Sequence, residues 1–124
     1  MPILDEHRST VVRTLCELFV PGSARVGPEL YIEALLARMP PPQCEATVAA
    51  IDALREAADG GAHALAEHEL SPEFMIVRAL ACEAFYSDFT APGVTGPGAW
   101  QEIDFAPPLA ARLQKDWSYL GLGA

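Results

Sequence analysis

A chain of 124 residues, 51% of them hydrophobic, makes one domain with a genuine core and is too apolar to stay disordered. Its net charge is −9, and its 8 basic residues are scattered, which makes nucleic acid and anionic membrane poor partners. Charged residues are only 20%, so apolar surface is left over, and such surface tends to mark interaction sites.

The opening Met1-Pro2-Ile3-Leu4-Asp5-Glu6-His7-Arg8 lacks the basic and apolar regions of a secretory signal, and no apolar window reaches membrane-spanning length. Cytoplasmic residence is the expectation, or periplasmic residence if an export signal was removed or is supplied by a partner. Cys16, Cys44 and Cys82 are odd in number and form no CxxC, and they read as reduced thiols on helix faces.

Residues 5–19 carry Val11, Val12, Leu15, Leu18 and Phe19 at helical spacing, with Asp5 as N-cap and Pro21-Gly22-Ser23 as the stop. Residues 27–39 predict a second helix, opened by Pro28 and striped by Leu30, Tyr31, Leu35, Leu36 and Met39. Pro40-Pro41-Pro42 ends it. A third helix is predicted over residues 43–59 with Val48, Ile51, Leu54 and Ala58 on one face. Gly60-Gly61 closes it, and residues 62–69 add further helical turns.

Ser71-Pro72-Glu73 predicts a sharply capped helix reaching residue 89 through Phe74, Val77, Leu80, Ala81, Ala84 and Phe85. Leu70 and Met75 are spaced for a hydrophobic staple. No strand-like alternation or hairpin dipeptide is present. The expected fold is all-α: a compact bundle of four or five helices over residues 1–90. An extended Pro/Gly/aromatic-rich C-terminal tail over residues 91–124 completes a single domain.

That tail holds Trp100, Ile103, Phe105, Trp117, Tyr119, Leu120 and Leu122 among prolines and glycines, with one short helix expected near residues 109–115. It has too little polarity for a free linker. Tryptophan and tyrosine are favoured at interface cores because they bury large areas and keep a polar handle. The tail therefore packs either on its own bundle or on another chain.

Catalytic chemistry has no local signature. Gly-x-Ser-x-Gly, a P-loop, a dinucleotide fingerprint and a haem motif are all missing. His63, Glu67 and His68 lie close together but not at metalloprotease spacing, and they read as a solvated face. Glu29/Glu33, Asp52/Glu56 and Glu67/Glu69 are carboxylate pairs that read as wet helix faces. No catalytic, cofactor-binding or metal residue is assigned.

The stretch Val12-Arg13-Thr14-Leu15-Cys16-Glu17-Leu18-Phe19-Val20-Pro21-Gly22 resembles the opening of gluconate 2-dehydrogenase subunit 3 proteins. Phe85-Tyr86-Ser87-Asp88, a Pro/Gly-rich stretch and Trp100-Gln101-Glu102-Ile103 resemble that family's later segments. The resemblance implies a small helical accessory subunit with no cofactor of its own. It would bind and stabilise or mature a large flavoprotein of the glucose–methanol–choline type, which carries FAD. Many members of that family open with a twin-arginine export signal, a pattern missing here.

The expected partner-binding residues are Phe85, Tyr86, Asp88, Trp100, Ile103, Phe105, Trp117 and Tyr119. Two alternatives stand beside this reading. One is a free-standing small enzyme or ligand-binding protein with a pocket between bundle and tail, lined by Glu83, Tyr86, Asp88 and Trp100. The other is a self-associating structural protein.

Overall fold

Asp5 sits in extended backbone and turns its carboxylate back to accept the Arg8 N–H at 2.8 Å, which starts α1, Glu6–Phe19. In this computed structural model, which describes residues 2–103 and 120–121, the regular elements of the described chain are all helical. After α1 the chain turns through a 3₁₀ element, Ser23–Val26. The Glu17 carboxylate accepts the N–H groups of Gly22 and Ala24, and Ser23 Oγ donates to the Cys16 carbonyl at 2.9 Å. The turn is thus held by α1 itself, and it delivers the chain into α2, Pro28–Arg38.

The third predicted helix is two helices. α3, Pro41–Ala53, begins with prolines at its first positions, where a missing N–H costs nothing. The chain bends at Leu54, whose side chain is fully buried, and α4, Arg55–Ala66, follows. Gly61 breaks the helical geometry inside α4 with φ 82, as the Gly-Gly pair predicts, yet the helix resumes beyond it. α5, Pro72–Tyr86, opens on the Ser71 cap, whose Oγ accepts the Phe74 N–H at 3.2 Å. It stops at Tyr86, short of residue 89. Replacing Ser71 by alanine is expected to cost about 1 kcal/mol in urea unfolding, because that first-turn N–H loses its acceptor. The last described helix, α6, is Ala99–Glu102.

The predicted staple does not form. Leu70 is 93% exposed and Met75 is exposed too. Phe74 takes the inward position instead and meets Phe19 edge-on at 4.9 Å between centroids.

α1 packs against α2, α4 and α5, while α3 lies along α5. The side chains of Leu15, Ile32, Leu36, Ile51 and Leu54 fill the space between them. The fold is an all-α bundle, with six α-helices among the described residues. Ion pairs tie its surface. Arg8 grips Asp52 with two hydrogen bonds, which hold that carboxyl below the usual carboxylate range. Arg13 grips the buried Glu29 in the same way, and Glu33 accepts the N–H groups of Ile3 and Leu4.

The described part of the tail is neither loose nor wholly extended. Ala91 donates its N–H to the Val26 carbonyl at 2.8 Å, and Phe89, Ala91 and Ala99 are buried in the common core. Leu120 is buried as well. The helix expected over residues 109–115 lies outside the described residues.

Candidate functional site

α5 has two apolar faces. Its inward face places Val77, Ala81, Ala84 and Phe85 in the core. Its outward face presents Met75, Ile76, Ala79 and Tyr86 to solvent. A helix that is apolar all round is ordinarily buried all round. The sequence carried the signal for this second face. Only Glu73, Arg78 and Glu83 are charged in fifteen residues, and Met75, Ile76, Ala79 and Tyr86 fall outside the stripe assigned to the core.

At the C-terminal end of α5 a strap over residues 87–103 organises the predicted site. Asp88 adopts a left-handed backbone at φ 67 and is buried. Its Oδ1 accepts the Trp100 N–H at 3.1 Å, which supplies the first turn of α6 with an acceptor from another part of the chain. Trp100 Nε1 donates to the Tyr86 carbonyl at 2.8 Å. Gly98 passes so close that a Cβ there would stand 2.0 Å from Asp88 Oδ1. Arg25 closes the other side, donating to the Pro97 carbonyl and pairing with Glu102.

The structure therefore brings Tyr86, Asp88 and Trp100 together. Phe85 and Asp88 are buried, so they build the surface from beneath rather than form it. Tyr86, stacked edge-on against Phe85, is 45% exposed, and Ile103 is 54% exposed. Among the described residues, these two and half-buried Trp100 are the sequence-predicted ones open to solvent. Phe105, Trp117 and Tyr119 lie outside the described residues.

Two of the four residues expected around a pocket between bundle and tail are joined directly. Asp88 and Trp100 bond to each other, and Glu83 accepts the Tyr31 hydroxyl at 3.1 Å. Glu83 instead lines a groove of about 400 Å³ between α3 and α5, with Met39, Ala46, Thr47, Ile76, Ala79 and Leu80. A second hollow, of about 270 Å³, lies among Leu18, Phe19, Leu65, Phe74 and Arg78. The Arg78 guanidinium there stands 5.7 Å from the centre of the Phe74 ring. His63 and Glu67 are exposed, and among the described residues no three His, Cys, Asp or Glu side chains converge to hold a metal ion.

Asp88 has a measurable consequence. Asp88→Ala is expected to lower stability by about 2 kcal/mol, from a lost helix cap and a left-handed backbone without its favoured side chain. Asp88→Asn keeps both the acceptor and the tolerance of that backbone, and should lose far less in the same chemical denaturation.

Comparison with known protein families, with characterised proteins and with solved structures gives no match to this chain.

Proposed function

We propose that the chain is a non-catalytic accessory subunit that binds, and stabilises or matures, a large FAD-dependent oxidoreductase subunit. The observation that carries the docking role is the second apolar face of α5, continued by Tyr86 and Ile103. Isolated exposed apolar side chains are ordinary, but a row of them along one helix is an interaction surface. The nature of the partner rests on the resemblance of the segments 12–22, 85–88 and 100–103 to the small subunits of such enzymes. Free thiols at Cys16, Cys44 and Cys82 suit a reducing compartment.

The test is purification of the tagged full chain from its native cells. A stoichiometric flavoprotein, recognised by its flavin absorbance and weakened by Tyr86→Lys, is the expected result. A strictly monomeric chain with no flavoprotein would overturn the proposal. Sedimentation as a dimer would favour self-association instead.

A ligand-binding role has one observation in its favour, the hollow in which Arg78 overhangs a lining that is apolar but for Glu69. Thermal stabilisation of the isolated chain by small apolar carboxylates, lost in Arg78→Ala, would support it.

A further inference from the structure

We infer that the groove between α3 and α5 receives a short basic amphipathic helix of the partner subunit. The inference rests on the docking role just proposed and names the part of the partner that binds. The groove floor is apolar, built from Met39, Ala46, Ile76, Ala79 and Leu80. Along α5, Ile76 and Leu80 are bracketed on the same face by Glu73 and Glu83, at i, i+3, i+7 and i+10. Neither acid is ion-paired among the described residues. α3 has no basic residue at all. The one base on α5, Arg78, faces the other hollow.

An apolar trough lined by Glu83, with Glu73 one turn before Ile76 on the same helix face and no cation among the described lining residues, is complementary to an apolar helix with Lys or Arg at its flanks. The eight residues from Ile76 to Glu83 rise about 10 Å, which is two turns of helix. The occupant therefore needs two apolar anchors one turn apart, with a basic residue beyond each. A second copy of this chain fits poorly. Each copy carries −9, and two-fold pairing of the groove would set acids against acids.

The experiment places the photo-crosslinker benzoylphenylalanine at position 76 of the full chain in its native cells and identifies the trapped peptide by mass spectrometry. The expected result is a peptide of another protein with apolar residues three or four apart and flanking Lys or Arg. A peptide of this same chain, from its tail or a second copy, overturns the inference. So does an acidic or uncharged peptide, or no adduct at all. The double variant Glu73→Lys/Glu83→Lys, checked for an unchanged melting temperature, should weaken the isolated complex about tenfold at low salt. Unchanged affinity overturns the inference. If the double variant instead melts earlier, Glu73→Lys alone, which removes no hydrogen bond seen here, should weaken the complex at least about threefold. A flavoprotein adduct from position 86 or 103 with none from position 76 would leave the accessory role standing and remove the groove from it.

Discussion

Replacing Gly27 by alanine is expected to cost about 3 kcal/mol of folding stability. Gly27 closes the 3₁₀ turn and opens α2 in the same residue, with φ 74 and ψ 47. That left-handed geometry costs a residue with a side chain about 1–2 kcal/mol. The added Cβ would also stand 2.6 Å from the Ala91 Cβ. Overlap of that kind in a packed interior typically costs another 1–3 kcal/mol, or about the same in backbone displacement. Displacement here has a specific victim, the hydrogen bond from Ala91 to Val26 that anchors the strap. The two components separate experimentally. Gly27→Ala/Ala91→Gly removes the overlap and keeps the backbone strain, so about half of the loss should return in urea denaturation. Full recovery would mean that the left-handed residue carries no strain.

Alkaline pH should weaken the fold through Cys16. Cys16 is wholly buried in the last turn of α1. Burial first, and then the nearby Glu29 carboxylate and the Cys82 thiol, push its pKa up from 9.0 to about 12. The unfolded chain releases this proton near its ordinary value, while the native chain keeps it. Between those values the native state binds more protons than the unfolded one, so stability falls as pH rises. The contribution is fully present below pH 9 and is lost through the window up to about 12. The slope approaches about 1.4 kcal/mol per pH unit, or roughly 4 kcal/mol across the window. Cys16→Ala should start less stable at neutral pH, having lost packing, but its stability should fall less steeply between pH 9 and 10.5. Equal slopes in the two proteins would show that other groups set the alkaline limit. Alkylation should follow the same order, with Cys44 and Cys82 reacting before Cys16.

Local chemistry made most of the helices legible. Asp5 and Ser71 each cap the helix they were expected to cap, because an N-cap needs only a short polar side chain and the next three residues. What depends on distant packing was hidden. Nothing local marks the bend at Leu54, which is set by a side chain fully buried among several helices. The staple failed for the same reason: Phe19, far away in sequence, gives Phe74 a better place than Leu70 could give Met75. In the tail, low polarity said that burial was needed but not where. The answer over residues 91–103 came from backbone groups, the Val26 and Pro97 carbonyls, whose positions no composition reveals. Asp88 was singled out for its chemistry, but its left-handed backbone and its inward carboxylate follow from the return of Trp100. The outer face of α5 was readable in the residues left over once the core stripe was assigned.

The grip of Arg25 on the strap bears on the order in which the molecule assembles. The bond from its guanidinium to the Pro97 carbonyl joins positions 72 residues apart. Closing so long a stretch of chain costs entropy that no local helix repays. The strap can engage only after α1, α2 and α5 have set its two ends in place. Weakening a contact made that late is therefore expected to leave the folding rate little changed and to speed unfolding instead. Arg25→Ala would then raise the unfolding rate with little change in the folding rate, marking the strap as the clasp fastened at the end.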